Sequence, residues 1–314
     1  MTAARRFPVI VGPTAGGKTA LAVQVAHAIG GEVVTADSVQ IYRGLDIGSA
    51  KPNLEEREGV PHHLLDIAEP DAKEPFSVSD WLLAAERAIA AIQGRGKVPV
   101  VVGGTHMYVK AFLEGLFEGP GADEGLREEL RQRPLEELRS ELVRVDPVAA
   151  ARIHANDQRR TIRALEVFRL TGTPITQLQT QWDQAGVGER GRGDCVLVGL
   201  DWPTDAINRR INERVRGMME RGLEAEARGL WRAGRLGVQA REALGYKQLI
   251  EWFEGRGTLE EAVEEIKICT RGLGKSQRTW LKRLRTTPGS VWIDAGAVSP
   301  AEWAGIVVGA MGTT

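Results

Sequence analysis

The chain has 314 residues, 42% of them hydrophobic and 26% charged, with a formal net charge of −1. That length accommodates two modest domains or one core with an insertion, and the balanced charge excludes a general affinity for nucleic acid or membranes, so any polyanion site must come from local clustering. Cys195 and Cys269 fit no metal or redox spacing and read as reduced thiols of a cytoplasmic protein, the start "MTAARRFPVIVGP" lacks the apolar core of a secretory signal, and no window approaches the roughly 18 apolar residues of a membrane span.

The first element is "FPVIV" (Phe7–Val11), an apolar, β-branched run that predicts a buried parallel strand. A helix follows from Lys18 to about Ile29 and stops at Gly30-Gly31, and "EVVTA" (Glu32–Ala36) is a second strand. "SVSDWLLAAERAIAAIQGRG" has a serine or aspartate cap, an apolar stripe and terminal glycines, so it predicts a helix, with "KVPVVVGG" (Lys97–Gly104) as the third strand. This β-α-β-α-β alternation argues for a doubly wound parallel sheet. From about Phe117 the pattern becomes charged, helical in period and free of convincing strands, ending near the glycine-rich linker "GVGERGRGD". "CVLVGLDW" resumes as a strand, followed by helices at Thr204–Arg221, Leu223–Arg232, Arg241–Glu254 and Leu259–Leu284 and a short strand "SVWIDA". The expected organisation is a catalytic core of residues 1–116 and 195–314, with 117–194 inserted as a helical domain.

Between the first strand and first helix lies "GPTAGGKT", a G-x-x-x-x-G-K-T loop. Gly12, Gly16 and Gly17, with Thr14 and Ala15 between, let backbone N–H groups approach phosphate oxygens, and the helix N-terminus adds partial positive charge. Lys18 is the point charge for a terminal phosphate, and Thr19 offers a hydroxyl to Mg²⁺. The loop specifies a phosphorylated ligand without saying which. Asp37 follows the second strand, on the sheet edge where ligands bind in open α/β folds. There it can serve as general base, bind metal through water, or cap a turn. Gln40, Tyr42, Arg43 and Lys51 add side chains suited to a base and its phosphates. No acid ends "VPVVVGGT", as a Walker-B aspartate for Mg²⁺ would, and Asp66 in "HHLLDI" is the available substitute. His62 and His63 are adjacent, which is not ligand spacing, and read as structural or lining residues. The eight tryptophans read as packing, Trp280 excepted.

The blocks "GPTAGGKT", "ADSVQIYRGLDIGSAKP", "VPHHLLDI", "FSVSDW", "VVGGTHMYVKAFLEG", "NDQRRTIRALEV" and "LGYKQL" occur in this order. Together they resemble the tRNA dimethylallyltransferases, also called tRNA isopentenyltransferases, from the phosphate loop to about Arg285. The resemblance implies a P-loop NTPase-like α/β core with helices on both faces and an inserted all-helical domain that clasps the anticodon stem-loop. It further implies transfer of a dimethylallyl group from dimethylallyl diphosphate to N6 of the adenosine 3′-adjacent to the anticodon, in tRNAs reading codons that begin with U. The loop residues Gly12 and Thr14 to Thr19 would then grip a diphosphate leaving group with Mg²⁺. Carried over by position, Asp37 is the general base on the adenine amine, and Thr105 lies near the diphosphate and reacting base, with Lys18 as the third catalytic group. The tRNA-contacting segments are Asp37, Ser38, Val39, Gln40 and Thr105, Arg127, Gln158 to Ile162 (Gln158, Arg159, Arg160, Thr161, Ile162), Gly245, Tyr246 and Lys247, and Lys275, Gln277 and Trp280. The protein is expected to be a cytoplasmic monomer with no membrane partner.

Local charge agrees with a polyanionic substrate. "TRGLGKSQRTWLKRLR" (Thr270–Arg285) holds six basic residues and no acid, with Trp280 among them. The chain departs from the family pattern at Glu242, Ser276 and Lys282, and lysine does not replace arginine in bidentate phosphate contacts. Two other functions compete: a P-loop kinase using ATP on a nucleoside or other small molecule, and a nucleotide-controlled RNA-binding switch.

Overall fold

The computed structural model describes residues 6–73, 76–116, 119–179 and 192–312. Most of the linker "GVGERGRGD" and the start of the expected insertion at Phe117 lie outside them. The chain forms two compact units, one of Met1–Leu113 and Gly191–Thr314 and a second of Glu114–Arg190.

The first unit is built on six parallel strands: β1 (Phe7–Val11), β2 (Gly31–Ala36), β3 (His62–His63), β4 (Val98–Gly103), β5 (Cys195–Asp201) and β6 (Val291–Asp294), in the order β3-β2-β4-β1-β5-β6. Every residue of β1 is buried, because it pairs on both edges and is covered on both faces. Alternate side chains divide between the faces. Ile10, Val33, Val100, Val198 and Leu200 meet Leu21 and Val25 of α1 (Lys18–Ile29) and Trp303 and Val307 of a C-terminal helix, Pro300–Gly312. On the other face, Phe7 meets Phe112, and Trp81 of α2 (Val78–Gly94) stacks on Tyr108 at 4.6 Å. Phe112 and Tyr108 belong to α3 (His106–Glu114).

The observed ends follow local chemistry. Gly30 closes α1 at φ 65°, and Ser77 and Asp80 form a reciprocal cap on α2. The predicted helix Arg241–Glu254 divides into a 3₁₀ turn at Ala240–Glu242 and a helix at Tyr246–Phe253, because Gly245 takes φ 94° and its N–H is held by Gln248. Helices Thr204–Glu220, Leu223–Arg232 and Leu259–Leu284 stand as read from the pattern, within a residue at one end. Helices His106–Glu114 and Pro300–Gly312 and strand β3 were not in the sequence reading.

The second unit contains helices α4 (Glu124–Arg131), α5 (Leu135–Val145), α6 (Pro147–Arg152), α7 (Gln158–Thr171) and α8 (Ile175–Leu178), with no strand among its described residues. Leu130, Leu138, Leu142, Leu165 and Val167 form its core. Glu166 is fully buried within it, held by Arg127 at 2.9 Å, Arg163 at 2.6 Å and the Asp123 N–H at 2.8 Å. In the first unit α9 is Thr204–Glu220, α10 Leu223–Arg232, α11 Tyr246–Phe253, α12 Leu259–Leu284 and α13 Pro300–Gly312.

Candidate active site

Strands β1, β2, β4 and β5 end side by side, with Val11 and Ala36 both in register with Gly103. Gly12, Asp37, Gly104 and Trp202 therefore leave the sheet at one edge. The chain order also switches direction here, since β2 and β4 lie on one side of β1 and β5 on the other. Such a switch opens a crevice at the carboxyl ends of the strands.

The phosphate loop lies in that position. Ala15 takes φ 60° and Gly17 φ 86°, the Gly16 N–H bonds to the Pro13 carbonyl at 3.1 Å, and α1 begins at Lys18. A Cβ on Gly12 would lie 3.1 Å from that of Leu200, so the close passage beside β5 favours glycine. Lys18 donates to the Pro13 carbonyl at 2.7 Å. The side chain is half-buried. Burial, reinforced by Arg214 and opposed by Asp37, pulls its pKa from 10.5 to about 8. No hydrogen bond to another described group occupies the Thr19 hydroxyl. Among the described residues no three His, Cys, Asp or Glu side chains gather as a metal site.

Asp37 and Thr105 meet on the same rim. The Thr105 N–H bonds to the Ala36 carbonyl at 3.3 Å, and its hydroxyl accepts the Ser38 N–H at 3.0 Å. Asp37 Oδ1 accepts the N–H groups of Val39 at 2.9 Å and Gln40 at 3.2 Å. Asp37 thus caps a turn with one oxygen, while Oδ2 carries no hydrogen bond among the described residues. Capping and proton acceptance are compatible in this geometry. Arg214 of α9 lies in the same electrostatic neighbourhood: burial lowers its guanidinium and Asp37 opposes that. Arg210 and Arg214, absent from the sequence reading, were visible only as arginines four apart in "RRINERVRG", a spacing that puts both on one helix face.

Several predicted site residues have internal partners. Gln277 is buried, accepting the Thr14 N–H at 2.7 Å and donating to the Gly104 carbonyl at 3.0 Å, so it fastens the phosphate loop to the end of β4. Gln40 donates to the carbonyls of Ser49 and Ala50, both at 3.1 Å. Lys51 is buried against Asp46 and Asp66, each at 2.6 Å, so the Asp66 carboxylate considered for Mg²⁺ instead neutralises Lys51. Tyr246 is wholly buried and donates to Glu226 at 2.6 Å, with its ring against Gly48. Arg127 holds Glu166, Thr161 and Ile162 face the core of the helical unit, and His63 holds Glu32 at 2.7 Å. At the surface remain Arg159, Arg160, Lys247 and Lys275, with Gln158 half-buried, and Lys247 pairs with Glu242 at 2.7 Å. Ser276 and Lys282 are exposed. Trp280 stacks on His106 at 4.8 Å, one residue beyond Thr105.

These features have relatives. The family profile described as IPP transferase matches residues 40–284, and that described as isopentenyl transferase matches residues 6–69. A tRNA dimethylallyltransferase of Geobacillus kaustophilus is 44% identical over 298 residues, which cover 93% of this chain and 92% of the relative. One from Trichlorobacter lovleyi is 45% identical over 92% of this chain and 93% of its own. The crystal structure of the tRNA isopentenylpyrophosphate transferase of Bacillus halodurans aligns with a TM-score of 0.69 at 38% identity, covering 98% of this chain and 97% of that one. A eukaryotic dimethylallyltransferase acting on tRNA aligns with a TM-score of 0.79 at 27% identity, covering 95% and 76%. Sheet, phosphate loop and sequence blocks agree: the chain belongs to the IPP transferase family, the tRNA dimethylallyltransferases.

Proposed function

We propose that this protein transfers a dimethylallyl group from dimethylallyl diphosphate to N6 of the adenosine 3′-adjacent to the anticodon, in tRNAs that read codons beginning with U. The observation that carries the reading is the shared rim: a phosphate loop whose lysine is held low by its surroundings, and beside it an aspartate with one oxygen unengaged. The names of the relatives support a tRNA substrate and do not favour the kinase.

The adenine amine is a poor nucleophile because its lone pair is delocalised into the ring. As N6 bonds to the allylic carbon, the carbon–oxygen bond to the diphosphate breaks and its electrons leave on the diphosphate oxygen. The N6 proton passes to Asp37 Oδ2. Backbone N–H groups of Ala15, Gly17 and Lys18, the Lys18 ammonium and the Arg214 guanidinium stabilise the departing charge. The Thr19 hydroxyl and the diphosphate oxygens would hold Mg²⁺, an ion that keeps several waters and needs few protein ligands, and it would supply further charge neutralisation. Asp37 keeps its turn hydrogen bonds during this step, so the accepting oxygen stays aimed.

The adenine must leave its stack to reach the rim, at a cost of about a few kcal/mol that is smaller in a loop than in a duplex. Ser38, Val39, Thr105, Lys275 and Trp280 form the receiving side in the first unit. Gln158, Arg159 and Arg160 give the helical unit its contact with the anticodon stem-loop. Gln40, Gln277, Gly245 and Tyr246 serve this surface by holding it in shape, and Lys247 lies exposed beside them. The protein works as a cytoplasmic monomer; no helix among the described residues is long and apolar enough to cross a membrane. The test is incubation of the folded protein with labelled dimethylallyl diphosphate, Mg²⁺ and unmodified tRNA. Label in N6 of that adenosine is expected, and no transfer to any such tRNA would refute the proposal.

A further inference from the structure

The phosphate loop is gripped from behind by two side chains that the reaction does not use. Trp202, just past β5, donates its indole N–H to the Gly16 carbonyl at 3.1 Å. Arg210 of α9 donates its Nε–H to the Ala15 carbonyl at 2.8 Å. The Arg210 guanidinium also lies over the Trp202 ring, 4.7 Å from its centroid, so the two act together. Trp202 meets buried Trp303 edge to face at 6.1 Å, and Trp303 closes the space behind Gly17.

The backbone they hold is one that would not hold itself. Ala15 takes φ 60°, in the left-handed region that a residue with a Cβ rarely enters. Such a conformation persists where its surroundings over-determine it. A trans peptide sets its N–H opposite its C=O. Drawing the Gly16 carbonyl toward Trp202 therefore aims the Gly17 N–H the other way, and Arg210, by holding the Ala15 carbonyl, fixes the preceding peptide, whose Gly16 N–H turns inward to the Pro13 carbonyl at 3.1 Å. Gly16 is also confined: a Cβ there would lie 2.8 Å from the Pro13 carbonyl and 3.2 Å from the Trp202 indole nitrogen.

We infer that Trp202 and Arg210 are positioning residues for the diphosphate, holding Ala15 to Gly17 in the one backbone conformation that presents the loop's N–H groups to phosphate. The inference rests on the reading of the loop as a diphosphate grip. It makes the competence of the loop a population that these two side chains set, since apparent affinity scales with the fraction of loops in the binding conformation.

The test is calorimetric titration of the folded protein with inorganic pyrophosphate and Mg²⁺, together with steady-state prenyl transfer. Trp202→Phe keeps the ring and removes the donor. It is expected to weaken pyrophosphate binding about fivefold, the worth of one hydrogen bond. KM for dimethylallyl diphosphate should rise in parallel, with kcat at saturation close to the parent's. Adding Ala15→Gly to Trp202→Phe should recover most of the loss, because glycine enters the left-handed region freely. Arg210→Lys, which keeps the charge but lacks the Nε–H, should show the same loss and the same rescue, and it stands in if the tryptophan variant does not fold. Undiminished binding in both variants, or a loss that Ala15→Gly does not rescue, overturns the inference. A parent protein that is folded yet binds no pyrophosphate would instead overturn the functional reading beneath it.

Discussion

Glu226 gives the most quantitative test of how the rim that carries Asp37 is built. Its Oε2 accepts the N–H groups of Asp46 at 3.1 Å and Ile47 at 2.8 Å, and its Oε1 accepts Gly48 at 3.1 Å and the Tyr246 hydroxyl at 2.6 Å. The loop so held passes through Ser49 and Ala50, whose carbonyls bind Gln40, and the Gln40 N–H binds Asp37. Four hydrogen bonds on one half-buried carboxylate, at about 1 kcal/mol each after resolvation, make Glu226→Ala cost about 4 kcal/mol. At roughly 2–4 °C per kcal/mol for a protein of this size, Tm should fall by about 10 °C. Glu226→Gln is the sharper variant. The amide settles with its NH₂ toward Gly48 and Tyr246, where the Tyr246 hydroxyl can turn to accept it but the Gly48 N–H is opposed, a cost of about 1–2 kcal/mol. Differential scanning calorimetry reads the melting, and single-turnover prenyl transfer reads the effect on Asp37. A Glu226→Gln protein that melts with the parent and transfers at the parent's rate would refute the argument.

Burial, more than any other cause, pulls the Lys18 ammonium down to about 8, and an anionic ligand needs it charged. Its folded pKa is depressed, so the favourable contribution to diphosphate binding is intact at lower pH and is lost as pH rises through about 8. The ratio of pyrophosphate affinities, parent over Lys18→Gln, should be flat below that point and fall roughly tenfold per pH unit above it; a flat ratio to pH 10 would sink the assignment. Glu166→Ala leaves Arg127, Arg163 and the Asp123 N–H without their shared acceptor inside the helical unit. It should destabilise that unit by about 3–5 kcal/mol, measured by urea denaturation, and a change under about 1 kcal/mol would contradict it. Gln277→Glu sets a carboxylate oxygen against the Gly104 carbonyl. It should raise KM for dimethylallyl diphosphate at least tenfold, and an unchanged KM would show that the fastening is dispensable.

The sheet and its crossover helices were legible because their signals are local. "FPVIV" and "VPVVVG" are runs that only a strand buried on both faces needs, and "SVSD" marks the start of α2 by the reciprocal cap of Ser77 and Asp80. The phosphate loop and Asp37 could be read for the same reason, since a strand end fixes where the next residue emerges. What stayed hidden depends on contacts distant in sequence. Nothing near Gln277 shows that it reaches Thr14, 263 residues away, or that Tyr246 lies beneath Gly48. Trp202, Arg210 and Arg214 carry no motif of their own, and their meaning appears only when α9 comes to the loop. Helix Pro300–Gly312 escaped because its apolar residues lie on more than one face and its sequence gives little periodic contrast.

The chemical claim at the centre is that Asp37 takes the proton from the adenine amine as the diphosphate departs from the neighbouring loop. Single-turnover transfer, with enzyme in excess over a preformed complex of tRNA and dimethylallyl diphosphate, isolates that step from binding. With Asp37→Ala the rate constant should fall by about two to four orders of magnitude, while pyrophosphate and tRNA affinities stay within about twofold of the parent's. A parent-like rate would show that Asp37 only caps its turn and that the proton leaves by another route.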